Sequence, residues 1–323
     1  MCCLFGFLDY KNRISGAQKR KLLQNLLLFS EERGTDAAGI AYAVNGNLKL
    51  YKRPIPAGKL KFHLPSYVSA VMGHARMATQ GDASYNNNNH PWIGRCGNTP
   101  FAFAHNGVIC NDKEIRKREH LPETNIATDS YVMVQALEKQ KVFSTDSIRS
   151  ISEMAEGTLC FTLMDSENNI YIVKGNNPIE IRHFEKLGLY VYASTKEILN
   201  KALSMTKLRK EKQTSIVIEK GEILKMSING KTERCFFSTS KLDGVDWDSV
   251  WTQRYFLPWK KETYQEDYIK LLVDYAGNIG VSEEEIWLLL DCGCTEEEIE
   301  ELLSCPSLFY SVLEDVLERY YIF

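Results

Sequence analysis

The chain begins MCCLFGFLDY, with a cysteine directly behind the initiator methionine and a second cysteine after it. Cys2 is small enough for an aminopeptidase to remove Met1, and the trimmed residue would carry a thiol and a free amine together. That is a nucleophile and a base on one residue. An α-amino group titrates near ~7.7–8.0 and a thiol near ~8.5, so at cellular pH the amine accepts the thiol proton with little driving force lost. No histidine is required. Attack of the sulfur on a carboxamide would pass through a tetrahedral oxyanion to a thioester and free ammonia, with water closing the cycle. Two other readings stand beside this one: a strand end in which Cys2, Leu4 and Phe5 are core, and a lipidated N-terminal cysteine pair.

Chemistry at a terminus needs a scaffold to hold it. The 323 residues, 44% hydrophobic, suffice for one large core or a core with a small satellite. The longest apolar run, CCLFGFL, has no basic region ahead of it, so neither a secretory signal nor a membrane span is expected. Nine cysteines without framework spacing fit a reducing, cytoplasmic setting. Cys292, Cys294 and Cys305 suggest a metal, but no histidine lies nearby and a tetrahedral site would lack its fourth ligand, so they read as packing and turn residues. The net charge of −3 hides a division. Residues 262–323 hold 16 acidic and two basic side chains, net −14, which leaves +11 on the first 261. Such a tail argues against nucleic-acid contact there, while a weakly basic body can still visit a polyanion.

The opening strand is followed by SGAQKRKLLQNLLLFSEER, which reads as a helix capped at Ser15 with Leu22, Leu23, Leu26 and Phe29 on one face. In GIAYAVNGNLKLY, Asn45-Gly46 joins two β-rich runs as a type I′ hairpin, because both turn residues need positive φ. Further strands are expected over 70–74, 101–105, 159–164, 170–173, 189–192, 216–219 and 222–224, and helices over 129–137, 145–154 and 195–202. Hairpins with helices in separate blocks indicate α+β layering rather than βαβ winding. Residues 241–261 carry Trp247, Trp251 and Trp259 and read as a strap or linker. Beyond them, Ser282 and Thr295 each open a capping box of four short helices, near 264–275, 283–290, 296–303 and 307–320. Ile286, Trp287, Leu302 and Leu303 are expected to be exposed and to need a partner surface.

Four segments bear on the opening cysteine: RGTDAAGIA at 33–41, GHARMATQGDA at 73–83, AHNGVICN at 104–111 and TDS at 128–130. With Cys2, and in this order, they resemble the glutaminase domain of class II glutamine amidotransferases over roughly residues 2–238. The resemblance implies an N-terminal nucleophile hydrolase fold, a four-layer αββα sandwich, here with a small C-terminal helical segment. It implies a glutaminase domain over 1–240, while the strap or linker over 241–261 and the acidic helical segment over 262–323, read from composition, lie outside it. Cys2 is then the nucleophile, with the Asn106 side-chain amide and the Gly107 N–H as the oxyanion hole. Arg76 is expected to fork onto the α-carboxylate of glutamine and Asp129 to meet its ammonium. Thr79 and Gln80 complete the substrate pocket, and Arg33 and His105 have supporting roles. No metal or cofactor is called for.

The chain departs from the pattern at Cys3 for glycine, Met77 for an aromatic residue and Gln80 for the histidine of synthase-type members, and carries a run of asparagines at 86–89. Relatives continue into a sugar-phosphate isomerase half or a phosphoribosyl-transfer half, for which this chain has no room. The function implied is glutamine hydrolysis that supplies ammonia to a separate synthase chain. Two alternatives stand: hydrolysis of another γ-glutamyl amide or peptide, and a non-catalytic glutamine sensor or scaffold.

Overall fold

The structure is a computed structural model that describes residues 2–242, 269, 272–277, 279–292, 294, 296–303 and 309–314. In chain order the strands are β1 (Cys3–Asp9), β2 (Ala37–Val44), β3 (Asn47–Arg53), β4 (Ala70–Arg76), β5 (Trp92–Cys96), β6 (Thr99–His105), β7 (Val108–Ile109), β8 (Gly157–Thr158), β9 (Cys160–Asp165), β10 (Ile170–Lys174), β11 (Glu180–Phe184), β12 (Leu189–Ala193), β13 (Thr214–Ile216), β14 (Glu222–Met226) and β15 (Thr232–Phe236). The helices are α1 (Gly16–Ser30), α2 (Asp112–Arg118), α3 (Tyr131–Glu138), α4 (Thr145–Ser152), α5 (Lys196–Ser204), α6 (Glu283–Cys292) and α7 (Glu296–Leu303).

All seven residues of β1 are buried. Successive side chains of a strand point to opposite faces, and both faces of this one are covered. Cys3, Phe5 and Phe7 join the cluster built by Leu22, Leu23 and Leu26 of α1 and Ile198, Leu199 and Ala202 of α5. Leu4 and Leu8 join a second cluster with Met72, Ala102, Ala104 and Met164. That is why the opening run is apolar without a gap. The first sheet runs β13-β11-β12-β1-β4-β2-β3 and the second β15-β14-β10-β9-β6-β5, with every pairing antiparallel. The second cluster fills the space between the sheets. A third, with Phe101, Phe103 and Phe161 against Val132, Met133, Ile148 and Ile151, seats α3 and α4 on the outer face of the second sheet. The result is the expected α+β sandwich of helix, sheet, sheet and helix layers. A short ribbon, β7 with β8, stands apart from both sheets.

Local signals act where they were read. Ser15 caps α1 in a full capping box with Gln18, and Asn45 and Gly46 turn at φ of 51° and 77° between β2 and β3. The expected strand over 216–219 is displaced, since β13 ends at Ile216. β5 and β11 were not anticipated. Their cores are broken by Arg95 and by Arg182 and His183, so apolar alternation is weak. The expected helix over 129–137 starts two residues later, at Tyr131, leaving Asp129 in the loop ahead of it.

The chain divides into two compact units, Met1–Arg254 and Tyr255–Phe323. The second has its own apolar cluster of Leu272, Ala276, Val281, Ile286, Leu289, Ile299, Leu303, Phe309 and Leu313. Ile286 and Leu303 are thus core, not exposed as expected, while Trp287 does face solvent. A helix of eight or ten residues turns one apolar stripe inward, and only packing decides which residues that stripe takes. The Ser282 box is formed, with the Ser282 N–H donating to Glu285 Oε2 at 2.7 Å and the Glu285 N–H to Ser282 Oγ at 3.3 Å. The tryptophan-rich stretch, the Thr295 cap and Cys305 lie outside the described residues.

Candidate active site

The register of the first sheet decides where the opening cysteine sits. β1 pairs with β4 so that Cys3 lies across from Ala75, and one further step along the ladder brings Cys2 to the end of β4. Its sulfur is 3.4 Å from both the nitrogen and the carbonyl oxygen of Met77. Arg33 donates from Nε to the Cys2 carbonyl at 2.9 Å, fastening the terminus. Cys3, one step on, is fully buried against α1. Strand alternation therefore turns one sulfur to a cleft and the other into core, and the lipidated-pair reading fails for Cys3.

The sulfur lies in a small cleft open to solvent. Of the nine residues predicted for the site, seven line it: Cys2, Arg76, Thr79, Gln80, His105, Gly107 and Asp129. Arg33 acts from behind, and so does Asn106, which is buried at the end of β6. Its backbone exchanges bonds with Cys160, N–H to Cys160 O at 2.8 Å and Cys160 N–H to its own carbonyl at 3.1 Å. Its side-chain amide reaches Ser194 Oγ at 3.4 Å, a long bond that a better acceptor can displace. Gly107 must be glycine here, because a Cβ would stand 2.0 Å from the Thr158 carbonyl. Asp129 is buried and accepts from the Ile109 N–H at 2.5 Å.

Arg76 lines the cleft and is bonded within its own loop. Its Nη2 donates to the carbonyls of Gln80 at 2.6 Å and Gly81 at 2.9 Å, and its Nη1 to Asn89 Oδ1 at 2.6 Å. A guanidinium has five N–H groups, and both of its two-point edges include Nη2. Both Nη2 hydrogens are thus engaged by the loop's own carbonyls.

Burial dominates the electrostatics. It pushes the Cys2 thiol up, with the Met77 backbone and the Arg76 charge pulling it down and Asp129 adding to the rise. While Met1 is attached the Cys2 nitrogen is an amide, so no base sits beside that thiol. Two buried histidines, His90 and His105, line the cleft, and a third, His74, packs behind them against the His90 ring and the His105 carbonyl. His105 is pushed down to about 4 by burial and His74 to about 3, while His90 falls well below its ordinary value, again chiefly by burial. All are neutral at physiological pH. The His74 Nε2–H donates to the His105 carbonyl at 3.0 Å, and the His105 Nε2–H to the Thr158 carbonyl at 3.2 Å. His105 Nδ1 therefore accepts from the Ser130 hydroxyl at 2.8 Å, which ties β6 to the start of α3 beside Asp129.

Sequence reasoning missed His90, Thr128 and Ser130 in the lining, and Asn88, Asn89 and Ser194 behind it. Thr128 and Ser130 flank Asp129 within the quoted TDS triplet, which was a usable signal. The asparagine run looked like low complexity. Among the described residues no three His, Cys, Asp or Glu side chains are grouped so as to hold a metal ion, and no helix is long and apolar enough to cross a membrane.

A thiol at a strand end, a cation and a buried carboxylate around one small cleft suit a zwitterionic substrate whose side chain reaches the sulfur. The chain is 26% identical to glutamine–fructose-6-phosphate aminotransferase (isomerizing) of Staphylococcus epidermidis over 302 residues, covering 88% of this chain and 47% of that protein. The Staphylococcus aureus enzyme of that name is likewise 26% identical over 306 residues, with the same coverage. The chain thus spans about half the length of these curated relatives. Among solved structures it superposes on the allosteric regulatory enzyme of purine biosynthesis with a TM-score of 0.60 at 21% identity, over 74% of this chain and 50% of that one. It also superposes on glutamine phosphoribosylpyrophosphate amidotransferase from B. subtilis with a TM-score of 0.55 at 20% identity and the same coverage. No protein-family profile matches the chain.

Proposed function

We propose that the chain, which is similar to class II glutamine amidotransferases, is a glutaminase domain of the N-terminal nucleophile hydrolase type that hydrolyses the side-chain amide of glutamine and supplies the ammonia to a synthase carried on a separate chain. The observation that supports this reading is the placement of Cys2, with its sulfur in the cleft beside Gly107 and its backbone held by Arg33. Once Met1 is removed, the α-amine takes the thiol proton and the sulfur attacks the amide carbon. The oxyanion faces the Gly107 N–H and, after release from Ser194, the Asn106 amide. The amine returns the proton as the C–N bond breaks and ammonia leaves. Water then attacks the thioester, the C–S bond breaks, and glutamate and the thiol are regenerated. Asp129 supplies the negative charge for the substrate ammonium and Arg76 positive charge toward its carboxylate.

Trimmed protein tests this directly. Incubated with glutamine, it should release glutamate and ammonia in equal amounts, and a glutamine analogue with an electrophile in place of the amide should label Cys2 and spare the buried Cys3. Cys2→Ala should abolish both. Full activity in protein that mass spectrometry shows to retain Met1 would sink the mechanism. Release of an amine from γ-glutamyl amides without ammonia from glutamine would favour the wider γ-glutamyl hydrolase. Binding of glutamine without turnover would favour a sensor.

A further inference from the structure

Gly107 lines the cleft just past the end of β6, and among the described residues nothing accepts from its N–H. That N–H shares a peptide unit with the Asn106 carbonyl. The unit is trans, since the one cis bond among the described residues is His90-Pro91, and a trans peptide points its N–H and its C=O in opposite directions. Whatever holds the carbonyl therefore aims the N–H. Two donors hold it: the Cys160 N–H of the neighbouring β9 at 3.1 Å, and Asn177 Nδ2, from the loop between β10 and β11, at 2.8 Å. A carbonyl oxygen has two lone pairs, and both are engaged.

Asn177 is itself fixed. Its N–H donates to the Leu159 carbonyl at 3.3 Å, and its own carbonyl accepts from Lys174 Nζ at 2.6 Å. Pro178 follows it, and a residue ahead of proline is biased to extended backbone. A short side chain on a pinned loop makes a rigid donor. Resting on the glutaminase reading, we infer that Asn177 is a positioning residue for the oxyanion hole. By holding the Asn106 carbonyl it aims the Gly107 N–H, and, because linked hydrogen bonds polarise one another, it strengthens that N–H as a donor. The gain falls on the step in which negative charge forms on oxygen, so it acts on kcat and leaves KM alone.

The test compares the parent protein, freed of Met1, with Asn177→Ala and with Asn177→Asp, which keeps the shape and lacks the donor. Three readouts are taken: kinetics with glutamine, the rate at which iodoacetamide alkylates Cys2 as followed by mass spectrometry, and hydrogen exchange at the Cys160 amide. Alkylation is displacement at a tetrahedral carbon and forms no oxyanion. Both variants should lose kcat on the order of tenfold, less than the roughly 10²–10³ that loss of an oxyanion donor itself costs, with KM and the alkylation rate near the parent values. Exchange at Cys160, which shares the carbonyl with Asn177, should quicken in Asn177→Ala while residues 4–8 of β1 stay protected. An unchanged kcat in both variants overturns the assignment. So does a loss that KM or alkylation shares, because a general loosening of the cleft would move all three. If the parent releases no ammonia from glutamine, the glutaminase reading fails, and exchange at Cys160 judges the anchor alone: quickening supports it and no change overturns it.

Discussion

At the scale of residues, the histidines have a consequence for pH. His74, His90 and His105 are buried, and burial disfavours their charged forms, so the folded-state values lie below the ordinary 6.5. The unfolded chain binds protons that the folded chain refuses. Stability is therefore fully present above about pH 6.5 and declines as pH falls toward the folded values, about 4 for His105 and about 3 for His74. Each such histidine contributes a slope of at most about 1.4 kcal/mol per pH unit in that window. Urea denaturation at pH 7.5, 6 and 5 should show falling midpoints with uptake of protons on unfolding. A midpoint flat between pH 7.5 and 5 would show that these rings are charged or solvated in the folded protein. His74 and His105 were legible as motif letters, in GHAR and AHNG, and His90 was not; the protonation of none of them was, because it depends on what covers them.

Elements are held to one another by a few polar fastenings inside apolar cores. Lys19 of α1 and Asp9 at the end of β1 form an ion pair of 3.1 Å with neither side chain exposed. Lys19 also donates to Asn12 Oδ1 at 2.7 Å and the Val68 carbonyl at 2.9 Å, and Asp9 accepts from the Arg13 N–H at 3.2 Å. The pair pins α1 to the strand that begins at Cys3, next to the proposed nucleophile. Removing one partner leaves a buried uncompensated charge, so Lys19→Met should cost about 3–5 kcal/mol and lower the melting temperature sharply. Adding Asp9→Leu to it should recover most of the loss. If the single variant melts like the parent, the pair is solvated rather than sealed. Periodicity placed α1 and its Ser15 cap in the sequence, but Lys19 reads there as one more charge in a basic stretch. Only the fold shows it turned inward.

Over the whole molecule, each compact unit owns its core. Among the described residues, the three clusters of the first unit include none beyond Leu242, and the fourth draws on residues 272–313. Units with separate cores are expected to fold separately. A chain ending at Lys261 should keep the melting temperature of the first unit and its release of ammonia from glutamine, and any synthase chain that co-purifies through the acidic helices should be lost with them. Insoluble or early-melting protein after truncation would show that residues beyond 261 complete the first core. The charge division of −14 against +11 was plain in the sequence, whereas the tail's inward face was misjudged at Ile286 and Leu303.

What the sequence determined by itself was whatever is written between neighbours along the chain. The seven-residue apolar strand, the Asn45-Gly46 turn, the Ser15 and Ser282 caps and the ordered motifs around Cys2, Arg76, Asn106 and Asp129 are all local, and they sufficed for the layer order and for seven of the eleven residues that line the cleft. Tertiary structure decided the pairings between distant segments. Arg76 donates to Asn89, which the turn into β5 brings against it, and Asn106 leans on Ser194, 88 residues away. Hydrogen-bonding side chains carry no period that announces their partners, so their roles emerge only when strand register sets which of them meet.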